Sequence, residues 1–97
     1  MTPESRPRIG PGFRLQWEAA QDCHVLLYPE GMVKLNGSAG HIMTRCDGTK
    51  AITEIVADLE AAFSTEGLQP EVLGFIDIAA GKRWLVDAGS GSREAAP

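Results

Sequence analysis

Histidine, cysteine and paired carboxylates are the side chains most able to do chemistry, and in this chain their spacing supports none. His24 sits in the apolar run "CHVLLY" (Cys23 to Tyr28) and His41 in a short helical stretch; neither belongs to an HxxxH or HExxH pattern that would bring two imidazoles to one helical face. Cys23 and Cys46 make no CxxC, and two thiols do not complete a zinc site. Asp47 and Asp77 have no neighbouring carboxylate in the sequence to share acid–base work. No GxxxxGKS/T loop for phosphates occurs, and no GxGxxG follows a strand. The expectation is a chain with no catalytic residues, no metal and no cofactor: a binding module, not an enzyme. Size agrees, because a deep pocket would hollow out much of a core built from so few residues.

Charge narrows the partner. The 97 residues carry a net charge of -4 and a pI near 5.0, and Lys82-Arg83 is the one adjacent basic pair in the part expected to be ordered. Nucleic-acid binders draw most of their affinity from phosphate neutralisation by basic patches, so nucleic acid is disfavoured. The N-terminus has no apolar signal-peptide core, and the aliphatic run Val25 to Leu27 is far too short to span a membrane. A cytoplasmic protein with two reduced, buried thiols is expected.

The elements follow from periodicity. Phe13, Leu15 and Trp17 alternate with polar residues, which predicts a half-buried strand. Cys23 to Tyr28 predicts a second strand covered on both faces. Pro29-Glu30-Gly31 breaks it, and Met32 to Leu35 predicts a third, completing an antiparallel meander. Ser38 is placed to cap a first helix with Ala39, Ile42, Met43 and Cys46 on one stripe, and Asp47-Gly48 to stop it. Thr49 is placed to cap a second, with Ile52, Ile55, Val56, Leu59, Ala62 and Phe63 inward. Pro70 suits the first turn of a third helix running to about Ala80, with Gly81 ending it and Trp84-Leu85-Val86 packing back or extending. The Pro- and Gly-rich segment 1–12 predicts a flexible arm, 13–87 one folded domain, and 88–97 a flexible tail. The fold class is α+β, a three-stranded antiparallel sheet followed by three helices.

Two helices joined around a glycine have the outline of a helix-turn-helix, so a DNA-binding regulator stands as the alternative despite the acidity. The remaining surface suggests another ligand. The third helix is apolar well beyond one stripe, since Leu73, Ile78 and Ala80 broaden the face of Val72, Phe75, Ile76 and Ala79. If Met32 to Leu35 is an edge strand, its unpaired backbone groups can accept an extended peptide or a second copy of the chain. Both a monomer and a weak homodimer fit this pattern.

The stretch "HVLLYPEGMVKLNGSAGHIMTRCDGTKAITEIVADL", His24 to Leu59, closely resembles the PqqD family of pyrroloquinoline quinone biosynthesis. The carriers are "LLYPE" at 26–30, "VKLN" at 33–36, "SAGHI" at 38–42 and "CDGT" at 46–49 before "ITEIV", with "FIDIAAGKRWLV" at 75–86 resembling the family's closing helix and Trp-Leu end. The family usually has Gly before that Trp; here Arg83 stands there. The resemblance covers about Pro7 to Val86. It implies a winged-helix-like recognition domain that binds a ribosomally made precursor peptide and presents it to a radical SAM enzyme, which joins a Glu and a Tyr side chain. It further implies a peptide added as a strand at Met32, Val33, Lys34 and Leu35, beside Val72, Phe75, Ile76 and Ala79. The enzyme would then meet another surface, for which Glu30, Asp47, Gly48 and the charged side of the second helix are candidates.

Overall fold

The computed structural model describes residues 1–35 and 37–89, so residues 90–97 of the expected tail lie outside the described residues. Strand β1 (Pro7–Ile9) precedes a meander of β2 (Arg14–Glu18), β3 (Cys23–Tyr28) and β4 (Gly31–Leu35). Helices α1 (Ser38–Thr44), α2 (Ile52–Ala62) and α3 (Gln69–Gly81) follow, and β5 (Leu85–Asp87) closes the chain. The three-stranded sheet has the order β2-β3-β4, all antiparallel, with Leu15 opposite Leu26 and Leu26 opposite Val33. The expected meander is therefore present, its third strand being β4, and three helices follow it.

One sheet face and the three helices share a single core. Leu26, Leu35, Ile42, Met43, Ile52, Ile55, Leu59, Val72, Ile76 and Leu85 are all at 3% exposure or less. Burying each such side chain contributes roughly 1.5–3 kcal/mol, which is why the helical stripes and the strand alternation lock to one another. On the other face Val25 is wholly buried, with Gln16 and Lys34 as its cross-strand partners.

The segment 1–12 departs from the expected arm. β1 pairs antiparallel with β5, Arg8 opposite Val86, in a second, two-stranded sheet. Ahead of β1, the N–H of Ile52 donates to the carbonyl of Ser5 at 3.0 Å and that of Thr53 to Pro3 at 3.1 Å. The first N–H groups of a helix have no partner within it, and here another part of the chain supplies the acceptors. Glu54 completes the cap by accepting the Ala51 N–H at 2.7 Å. Thr49, expected as the cap, instead donates its N–H and hydroxyl to the Asp47 carboxylate. Ser38 likewise makes no cap and is the first residue of α1. Prolines and the short strand hide this segment's role, because its contribution is carbonyl acceptors, which leave no side-chain signature.

The end of α3 shows why glycine would suit position 83; nothing in the structure explains the arginine there. The N–H of Gly10 donates to the Trp84 carbonyl at 2.8 Å, so close that a side chain on Gly10 would meet the Arg83 oxygen at 2.3 Å. That approach follows a turn in which Arg83 has φ 66°, the left-handed region that favours glycine.

Two outcomes follow. Arg83→Gly raises the unfolding free energy by about 0.5–1 kcal/mol, relief of the left-handed strain being partly offset by glycine's entropy; chemical denaturation measures it, and a less stable variant contradicts the strain. Deleting residues 1–6 removes both acceptors from α2 and lowers stability by at least about 2 kcal/mol, whereas a truly free arm would leave the midpoint unmoved.

Candidate functional site

β4 is an edge. Its register with β3 starts at Tyr28 opposite Gly31, across the two-residue turn Pro29-Glu30. A pair that closes so short a turn must exchange its own hydrogen bonds, and in an antiparallel ladder bonded and non-bonded pairs alternate. Gly31, Val33 and Leu35 therefore bond to β3, while Met32 and Lys34 direct their N–H and C=O groups away from the sheet. These two residues line the vacant border and have exposed side chains, Met32 at 49%. Of the four strand candidates, Val33 is half-buried against the core and Leu35 is in it.

The third helix divides the other candidates. Val72, Ile76 and Ala79 are at 2% exposure or less and pack in the core, Val72 also lining a cavity at the start of α3. Phe75 is half-buried, as is Leu73, and Ile78 stands 60% exposed. The breadth of apolar surface thus has two causes. One side of the helix is enclosed, and residues off that side remain partly open. From sequence the periodic set draws the eye, yet the enclosed set is the less available to a ligand.

The turn candidates also separate. The Gly48 N–H donates to the Pro7 carbonyl at 2.9 Å, and Asp47 forms an isolated antiparallel bridge with Arg8. The hydroxyl and N–H of Thr49 hold the Asp47 carboxyl below its ordinary range. Both residues are explained by tying the N-terminal segment to the turn. Glu30 is exposed on the β3–β4 turn. The histidines pack edge-on against aromatics, His24 against Trp17 at 5.0 Å and His41 against Phe63 at 4.8 Å. Among the described residues no three His, Cys, Asp or Glu side chains gather to hold a metal ion, and no helix is long and apolar enough to cross a membrane.

Two open cavities of about 310 Å³ each flank α1. One lies between the sheet and α1, lined by Trp17, His24, Leu35 and Gly40 among others. The other opens where α1, the end of α2 and the start of α3 meet, walled by Ile42, Leu59, Phe63, Leu68 and Val72. Sequence reasoning assigned Phe63 to the core; in the structure it is half exposed at the helix end, the last position of a stripe that has outrun the helices beneath it.

Comparison with known proteins bears on this arrangement. The family model described as coenzyme PQQ synthesis protein D (PqqD) matches residues 23–85. Curated relatives named PqqA binding protein include one from Stutzerimonas stutzeri, 50% identical over 80 residues that span 81% of this chain and 87% of that one. Another from Pseudomonas aeruginosa is 48% identical over 83 residues, 84% of this chain and 90% of that one. The solution NMR structure of the PqqD truncation of Methylobacterium extorquens PqqCD is described as a functional, stand-alone recognition element for ribosomally synthesized and post-translationally modified peptides. It superposes with a TM-score of 0.69 at 26% identity, covering 89% of this chain and 99% of that one. The crystal structure of PqqD from Xanthomonas campestris gives a TM-score of 0.55 at 32% identity, covering 89% and 98%.

The turn after α1 generates a prediction. Cys46 donates its thiol to the Ile42 carbonyl at 3.2 Å, and burial, then the neighbouring Asp47 charge, pushes its pKa up to about 12 from an ordinary 9.0. The folded value exceeds the unfolded one, so this contribution to stability is intact below pH 9.0 and is lost as pH climbs toward 12. Cys46→Ala flattens that alkaline decline relative to the parent, as urea midpoints across pH 8 to 11 will show; parallel declines contradict the burial argument.

Proposed function

The chain belongs to the coenzyme PQQ synthesis protein D (PqqD) family, and on the geometry of its free edge we propose that it binds the ribosomally made precursor peptide by strand addition to β4 and presents it to a radical SAM enzyme for joining of a Glu and a Tyr side chain. The observation that carries this reading is the unpaired border at Met32 and Lys34. An extended peptide placed there gains main-chain hydrogen bonds at alternate residues, and these supply affinity with little regard to sequence. Selectivity is then assigned to the side chains of the strand, Met32 and Lys34 on its outward positions and Val33 on the inner face, with the half-buried Phe75 of α3 proposed as the wall of the groove. Val72, Ile76 and Ala79 support this wall from within.

The role proposed is capture without catalysis. If the free peptide is a disordered chain, as a strand-adding ligand of this kind would be, ordering entropy offsets much of the contact energy. Affinity between micromolar and nanomolar, roughly 8 to 12 kcal/mol, suits a carrier that must later release its cargo. Tethering raises the effective concentration of the peptide at the enzyme. A DNA-binding reading has no supporting observation.

Titration of labelled precursor peptide should saturate below about 100 µM, roughly 5.5 kcal/mol; absence of saturable binding there defeats the proposal. Lys34→Pro removes one outward donor while leaving the β3 ladder whole. Peptide affinity drops about tenfold, with the circular dichroism spectrum unchanged, because one main-chain hydrogen bond contributes on the order of 1 kcal/mol. Unchanged affinity would place the peptide elsewhere.

A further inference from the structure

Residues 51–81, which hold α2 and α3, carry Glu54, Asp58, Glu60, Glu66, Glu71 and Asp77 and no lysine, arginine or histidine. All nine basic residues lie outside this segment. Two of the carboxylates have partners: Asp58 pairs with Arg45 at 2.6 Å and Asp77 with the N-terminal amine at 2.9 Å. Glu60 turns back to accept the Leu68 N–H at 3.0 Å. Glu66 and Glu71 are exposed and make no ion pair among the described residues.

These two carboxylates stand beside the cavity at the meeting of the three helices. Glu71 lines it directly, and Glu66 lies in the loop between Thr65 and Leu68, which both line it. The walls are otherwise almost wholly apolar, and Phe63 is about half exposed there, with its ring set near-perpendicular to that of His41. A half-exposed aromatic ring over an apolar opening with a polar rim has the anatomy of an interface core. A rim of one sign selects a partner of the other.

We propose that this cleft docks a protein partner through a large apolar side chain projecting from a lysine- or arginine-bearing helix or loop, and that this partner is the enzyme to which the peptide is presented; the assignment of the enzyme rests on the function proposed above. The precursor peptide is placed elsewhere by the function proposed above: its border is Met32 and Lys34, and no residue of β4 lines the cleft, which begins at Gly37 and Ser38 beyond the end of that strand. A second copy is disfavoured as well. Two-fold pairing would bring the same acidic rim against itself. The arrangement gives the carrier two separate faces, a backbone edge for cargo and an acidic, apolar cleft for the enzyme, so both can be engaged together.

The test titrates the purified radical SAM enzyme into the full chain, comparing the parent with Phe63→Ala and with the double variant Glu66→Lys/Glu71→Lys, and measures precursor-peptide affinity and sedimentation of each in parallel. Each variant weakens enzyme binding by about tenfold, the scale of an interface hot spot, while peptide affinity stays within about twofold. The parent's enzyme affinity falls with ionic strength, and charge reversal flattens that dependence. The double variant alters exposed residues only, so it remains informative if Phe63→Ala loses stability. Enzyme affinity unchanged in both variants, or absent in the parent, overturns the docking. A matching loss of peptide affinity assigns the cleft to the cargo, and a shift between monomer and dimer assigns it to a second copy; either overturns it too. Failure of the parent to bind peptide strikes the proposed function instead, and the enzyme titration still decides the cleft.

Discussion

A buried backbone amide without a partner costs on the order of 1–3 kcal/mol, and this constraint organises the molecule. It explains why the N-terminal segment lies where it does. The carbonyls of Pro3 and Ser5 meet the orphan N–H groups of α2, and β1 consumes the backbone of β5. Asp87 shows the same logic at the far end. Partial burial alone would raise its carboxyl pKa, yet the N–H donors of Arg6 and Gly89 outweigh that and hold it below the ordinary range. Against this background the outward groups of Met32 and Lys34 stand out, because they remain in solvent where a second chain can reach them.

The same constraint decides what was legible from the amino-acid order. Strands β2 to β4 announce themselves through alternation and through the Pro29-Glu30 turn, because their stability comes from side chains on two faces. The stripe of α2 is equally plain. β1 is invisible to such reasoning, and β5 shows only as the Trp84-Leu85-Val86 stretch expected to pack back or extend. Each has three residues, and what places them is one another's main chain, with no side-chain period to detect. The candidate site was legible to the same degree. Its edge strand could be named, but which of its residues face outward depends on the register set by Tyr28 and Gly31, and that is a property of the pair.

The third helix shows a different limit. A run such as "VLGFIDIAA" is apolar nearly all round, so periodicity cannot separate core from wall. The choice is made by neighbours. α2 and β5 enclose Val72, Ile76 and Ala79 and leave Ile78 to solvent. Arg83 carries a related lesson. Its left-handed backbone accompanies the close approach of Gly10 to the turn, a contact between distant segments that local sequence does not show, and nothing in the structure explains an arginine there.

Charge segregation supplies the last step. An overall charge of -4 conceals a helical segment that is entirely acidic and a remainder that holds every basic residue. If the acidity served solubility alone, an even scatter would do as well and would repel less within α2 and α3. On the docking proposed above, the two carboxylates beside the Phe63 cleft, Glu66 and Glu71, would steer a basic partner to the helices, while Lys34 keeps the strand edge on the other sign. The cargo and the enzyme, as proposed, would meet on a domain too small to keep them apart by distance. They can be kept apart by using different physics, backbone hydrogen bonding at β4 and apolar insertion within an acidic rim at the helices.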